Sequence, residues 1–206
     1  MEIDTVVFDL GGVLIDWNPE YVFLDAFKGD SEKTQWFLNH VCTMDWNENQ
    51  DAGYPIAKAT ADLIQKFPQY KTYIAMYYGE WENMLGGAIQ GTVNILESVL
   101  KNKTYKVYAL TNWSAETFPI AKQRFEFLNW FHGIVVSGEE GTRKPHNAIF
   151  DKLCHRYNIV PERAVFIDDN LRNVEAAIKL GFNAIQYLNP EQLKMALKTC
   201  HININD

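Results

Sequence analysis

Four places in the chain carry side chains able to do chemistry, and three of them close an apolar run. Asp9 ends VVFD, Thr111 and Asn112 end YALTN, and Asp168 and Asp169 end VFIDD; Lys144 stands between the last two in GTRKP. Taken singly, each has an ordinary structural reading: a turn acid or helix cap, a solvated acidic turn, a lysine before a proline, and a helix start with Ser114 as its cap. Taken together they form a pattern. Ligands of an open parallel sheet bind outside the carboxyl ends of its strands, so polar groups at one end of several strands converge on one edge. Three carboxylates gathered there push at least one pKa upward, and a bound dication relieves the strain.

The elements that must position these groups follow from the hydrophobic pattern. TVVFD (5–9), YKVYALT (105–111), GIVVS (133–137), RAVFID (163–168) and NAIQYL (183–188) are short, β-branched or aromatic, and barely alternate. That is the signature of strands covered on both faces of a parallel sheet. Helical spacing fills the gaps: HNAIFDKLCHRY sets Ile149, Phe150, Leu153, Cys154 and Tyr157 on one face, and NVEAAIKLG stops at Gly181. Strand and helix alternate from about residue 90 onward, which predicts a doubly wound α/β domain.

Residues 16–88 break the rhythm. WNPEYVFLDAFKG, EKTQWFLNHVCTM, YPIAKATADLIQKF and YKTYIAMYYGEWENML read as amphipathic helices with no convincing strand among them. A helical cap inserted after the first strand is expected, with residues 1–15 and 89–206 forming the core. Trp17, Trp36, Trp46 and Trp81 are expected to pack between its helices.

Bulk properties narrow the partner. The 206 residues carry a formal charge of −7, and no arginine precedes Arg124. Nucleic-acid and anionic-membrane surfaces need clustered Lys and Arg, so a small molecule is the expected partner. Cys42, Cys154 and Cys200 are odd in number and form no CxxC pair, no run approaches the about 20 apolar residues of a membrane span, and the N-terminus does not resemble a signal peptide. A cytoplasmic location is expected.

The order FDLGGVL, ALTN, GTRKP, FIDDN resembles the four motifs of the haloacid dehalogenase (HAD) superfamily. The likeness covers residues 1–15 and about 90–190, with the insertion where that family carries a small helical cap, and it is strongest to the sugar-phosphate phosphatases and the phosphatase domain of soluble epoxide hydrolase. The resemblance implies a Rossmann-like core and an Mg2+-dependent phosphatase acting on a small phosphorylated metabolite, such as a sugar phosphate with an anomeric phosphate, through an aspartyl-phosphate. It implies Asp9 as nucleophile and Lys144 as its charge partner. It assigns Thr111 and Asn112 to the substrate, and Asp9, the Gly11 carbonyl, Asp169 and Asp168 to the metal. A phosphoryl group spreads negative charge over its oxygens, so an anionic nucleophile needs a cation and a placed ammonium.

One position departs from the motif. Most phosphatases of the resembled family carry a second Asp two residues after the nucleophile, where this chain has Gly11. A general acid–base group there is worth about 10²–10⁴ in rate. Three readings follow: a good leaving group, an acid supplied by the insertion (Asp16, Glu48 or Asp51), or a weakly active or non-catalytic binder of phosphorylated ligands. The departure also admits a metal-independent 2-haloacid dehalogenase, since halide leaves without a proton. The arginine that receives halide in those enzymes has no counterpart before Arg124. His146, following Lys144 and Pro145, is expected at a surface helix start.

Overall fold

The computed structural model describes residues 2–204. The chain enters on β1 (Thr5–Phe8), turns through glycines and forms the short β2 (Ile15–Trp17). A helical stretch follows: α1 (Glu20–Ala26), α2 (Ser31–His40), α3 (Met44–Asp51), α4 (Ile56–Lys66) and α5 (Lys71–Gly79), closed by β3 (Leu85–Ala88). The rest alternates: α6 (Gln90–Lys101), β4 (Lys106–Thr111), α7 (Phe118–Arg124), β5 (Gly133–Val136), α8 (Ser137–Glu140), α9 (Asn147–Tyr157), β6 (Ala164–Asp168), α10 (Leu171–Lys179), β7 (Asn183–Gln186) and α11 (Pro190–Thr199).

The five expected strands form one sheet in the order β5-β4-β1-β6-β7, every pair parallel. Along β1 the side chains split between two cores. Val6 and Phe8 join one apolar cluster, while Val7 joins another with Leu110, Phe166 and the α9 residues Ile149, Phe150 and Leu153. Both faces are covered, which is why the strand shows no polar alternation in sequence. Central β1 is in register with both neighbours, Phe8 pairing Ala109 on β4 and Ile167 on β6. The residues that follow are therefore delivered to one edge.

Two expectations for residues 16–88 are corrected. The stretch does contain strand: β2 and β3 pair antiparallel as a two-stranded ribbon where it leaves and rejoins the sheet domain. Its strands are only three and four residues long and one contains Gly86 and Gly87, too short and glycine-rich to show a period. The structure also ends α2 at His40 and places a separate helix, α3, over Met44–Asp51, where the sequence pattern runs one helix on to Met44 and predicts none over DWNENQD. The buried residues of α3 are Asn47 and Gln50, so no apolar stripe marks it. Only its cap is legible: the Thr43 side chain accepts from Trp46 N at 3.1 Å.

The tryptophans also divide. Trp81 is buried against Trp113, their ring centroids 5.5 Å apart, whereas Trp36 is 43% exposed and stacks on His40. His146 is exposed at the start of α9.

Candidate active site

Asp9 follows the last residue of β1, held by its own N–H donating to Ile167 O at 2.8 Å. Its carboxylate is buried. Oδ1 accepts from Leu10 N at 2.7 Å and from Lys144 Nζ at 2.9 Å. Lys144 is fully buried, and its ammonium donates also to Asp168 Oδ2 at 2.7 Å and to Leu110 O at 2.8 Å. Its three hydrogens thus have three acceptors, which a lysine with no access to water requires. Burial alone would lower its pKa, but Asp168 and Asp9 outweigh it and hold the ammonium above the ordinary lysine value.

One ammonium does not balance three acids. Carboxylate oxygens of Asp9, Asp168 and Asp169 all lie within 4.8 Å of one another. Asp9 is pushed up to about 8, by burial first, with Lys144 pulling it back and Asp168 and Asp169 raising it further. Asp169, open to solvent on its outer side, is also raised, by partial desolvation and then by Asp168. Asp168 is fully buried and fixed in place, with Asn173 Nδ2 donating to both its oxygens and Asn170 N to Oδ1. Hard oxygen donors at this spacing fit a divalent cation such as magnesium.

The glycine turn is shaped around this cluster. Gly12 has φ +74°, and a Cβ there would meet Asp169 Oδ2 at 2.5 Å. At Gly11 a Cβ would meet nothing within 4 Å. The space that a side chain at position 11 would enter is open.

Asn112 and Thr111 divide the end of β4 between them. The Asn112 amide faces Lys144's main chain, Oδ1 accepting from Lys144 N at 2.8 Å and Nδ2 donating to Lys144 O at 3.0 Å. It holds the lysine's backbone in place, as another strand would. Thr111 Oγ1 is buried and has no hydrogen-bond partner among the described residues. Such a hydroxyl carries a desolvation cost that no bond among the described residues offsets.

A cavity of about 320 Å³ opens above Asp9, between the sheet edge and the helical stretch. From the sheet side it is lined by Asp9, Gly11, Gly12, Asn112, Trp113, Ser114 and Asp169, and from the other by Trp17, Met44, Asn47, Glu48, Asp51, Tyr78 and Trp81. Of the three acids considered as replacements for the one missing at Gly11, Glu48 and Asp51 line it. Asp16 does not; it accepts from Tyr21 OH at 2.7 Å. Sequence reasoning missed Asn47 and Tyr78, which line the cavity without any motif to flag them.

Residues 3–181 match the family model of the haloacid dehalogenase-like hydrolases. The chain belongs to that family. Phosphoglycolate phosphatase of Nitrosococcus oceani is 24% identical to this HAD-like hydrolase over 88% of the chain and 82% of that protein. Drimenol cyclase drtB of Aspergillus calidoustus is 30% identical over 47% of the chain, a match that spans only 18% of that protein. Among solved structures, the HAD family enzyme bt-2542 of Bacteroides thetaiotaomicron, crystallised with magnesium and inorganic phosphate, superposes with a TM-score of 0.65 at 22% identity, covering 91% of this chain and 95% of the other. That likeness is one of fold. Among the described residues no helix is long and apolar enough to cross a membrane.

Proposed function

We propose that this HAD-like hydrolase is a magnesium-dependent phosphatase of small phosphorylated metabolites. The observation that carries the reading is the cluster itself: three carboxylates within 4.8 Å of one another beside a single buried ammonium. Phosphatase and magnesium–phosphate relatives point the same way. Asp9, Asp169 and the Gly11 carbonyl would hold the cation, with Asp168 steadied behind them by Lys144 and Asn173. Bound there, magnesium would supply positive charge to the phosphoryl oxygens and to Asp9.

The chain's own residues do the rest. An Asp9 carboxylate oxygen attacks phosphorus in line with the leaving oxygen and forms an acyl-phosphate, which water then hydrolyses. Lys144 opposes the rise in the Asp9 pKa and aims the carboxylate, with the cation completing its ionisation. The unpartnered Thr111 hydroxyl donates to a phosphoryl oxygen, and Asn112 acts through Lys144 by fixing its backbone. The cavity admits a metabolite-sized group and is walled by Trp17, Trp81 and Trp113, which exclude water around the ester.

The test is a panel of phosphate esters with purified protein, magnesium and EDTA. Turnover that requires magnesium and disappears in Asp9→Asn is expected. Equal rates in the wild type and Asp9→Asn on every ester would refute it in favour of a ligand-binding role, and chloride release from 2-chloropropionate in EDTA would point to dehalogenation.

A further inference from the structure

The chemistry just proposed needs a proton for the leaving oxygen, and position 11 offers none. Among the described residues, the titratable side chains lining the cavity are Asp9, Glu48, Asp51, Tyr78 and Asp169. Asp9 and Asp169 belong to the charged cluster. Glu48 is committed on both oxygens, Oε2 to Arg143 at 2.7 Å and Oε1 to Arg172 at 2.6 Å. Tyr78 spends its hydrogen on Asn47 Oδ1 at 2.9 Å. Asp51 remains.

We propose that Asp51 is the proton shuttle of this site, the acid that protonates the departing oxygen and the base that then takes a proton from the attacking water. The inference rests on the phosphatase reading. Asp51 ends α3, on the wall of the cavity contributed by the helical stretch, and it is firmly seated there. Its carbonyl accepts from the Ser137 hydroxyl, its carboxylate accepts from Asn47 Nδ2 at 3.1 Å, and a backbone hydrogen bond reaches it from Ser114. Asn47 is oriented in turn by Tyr78, so a hydrogen-bonded string runs from Tyr78 through Asn47 to Asp51. Asn47 and Tyr78 are positioning residues.

The charges around Asp51 suit the role. Burial first and then Glu48 raise its carboxyl, to about 7, against the opposing pull of Arg143, the Ser114 backbone and Lys144; Tyr77 and Tyr78 also face it. A group titrating near neutrality is present in both protonation states, as a shuttle must be. In the first step the Asp9 carboxylate bonds to phosphorus, the bond from phosphorus to the ester oxygen breaks, and the Asp51 proton goes to that oxygen, releasing the alcohol. In the second, water attacks phosphorus and gives a proton to the Asp51 carboxylate. The bond to Asp9 breaks, and hydrogen phosphate leaves with both acids restored.

Asp51→Asn, with magnesium present, separates this from a structural role by leaving-group chemistry. p-Nitrophenyl phosphate needs no proton in the first step, whereas β-glycerophosphate does. We expect kcat/KM for p-nitrophenyl phosphate within about threefold of wild type, kcat lowered by about 10²-fold or more with a burst of one nitrophenolate per site, and kcat/KM for β-glycerophosphate lowered by about 10²–10⁴. Gly11→Asp added to that variant should restore the β-glycerophosphate rate, since its side chain enters open space. Equal losses on both esters without a burst would overturn the assignment, and so would no loss on either. Should Asp51→Asn not fold, the wild type decides through a series of phosphate esters: kcat/KM nearly independent of leaving-group pKa upholds the shuttle, and a steep dependence overturns it. Wild type inert on every ester would instead sink the phosphatase reading, a distinct result.

Discussion

The Thr111 hydroxyl is the residue whose cost and use are most clearly separated. Buried with no partner among the described residues, it contributes desolvation and no bond, so removing it should not weaken the fold. Thr111→Val keeps the shape, and we expect its Tm to equal or exceed that of wild type. A hydrogen bond to a charged phosphoryl oxygen is worth about 1.5–3 kcal/mol, so kcat/KM should fall roughly 10- to 100-fold in the same variant. A drop in Tm with kcat/KM unchanged would contradict the assignment. The acid cluster gives a second expectation, in pH. Asp9 has its carboxyl raised from an ordinary 3.8 to about 8. Stability from a raised group is present below the ordinary value and is lost as pH climbs through the raised one. A cation competes with that proton, so magnesium affinity should climb over the same window, by about tenfold per pH unit for each proton displaced. The rise in Tm on adding magnesium should therefore be larger at pH 8 than at pH 6. An equal or smaller rise at pH 8 would contradict the charge argument.

At the scale of elements, legibility followed the kind of surface each element buries. The sheet strands bury apolar residues on both faces and could be read within a residue or two; the acids then fell at their ends because register carries them there. The α3 helix buries Asn47 and Gln50, and its Glu48 and Asp51 face the cavity; Met44 and Trp46 alone are too few to set an apolar period, so it is silent to a search for one. Asn112 shows the same limit at close range. The family resemblance assigns it to the substrate, and it does line the cavity, but no pattern in the sequence shows that its amide pairs with the main chain of Lys144, a partner 32 residues away. Ion pairs join the Ser137 and Ser114 hydrogen bonds that seat α3 against the sheet domain: Glu48 reaches Arg143 before α9 and Arg172 on α10. The pair with Arg172, whose side chain is 57% exposed, is individually weak, whereas Arg143 is only 18% exposed, and one carboxylate ties both segments to α3. Glu48→Gln should raise amide exchange in α3 by about tenfold, equivalent to about 1.4 kcal/mol of local opening, and raise KM more than it lowers kcat. Unchanged exchange in α3 would show that the helix is held without the ion pairs.

Across the whole molecule, the helical stretch and the sheet domain share their interior. The larger apolar cluster runs without a break from Val6, Phe8 and Val107 of the sheet to Phe23, Phe37, Ile74 and Tyr77 of the helices. Phe23 lies 4.9 Å from Phe37 and 6.0 Å from Tyr77 between ring centroids, so the helices also pack on one another. The ribbon of β2 and β3 brings the two ends of the stretch together, and Arg124 adds a tie, donating to Glu82 O and Leu85 O at 3.0 Å each. A lid that swings as a separate body has its own core and a thin, polar seam; this stretch has a seam continuous with the main core. Opening it widely would expose Trp81 and Met84, both buried, along with the cavity wall. We therefore expect substrate to enter by small adjustments of α3 rather than by a hinge of the whole stretch, and the chain to unfold as one unit. Calorimetry should give a single transition whose calorimetric and van't Hoff enthalpies agree. Two resolved transitions, with the first one lost when residues 18–84 are replaced by a short turn and the second one intact, would mean that the helices fold on a core of their own and that the shared cluster is not what holds them.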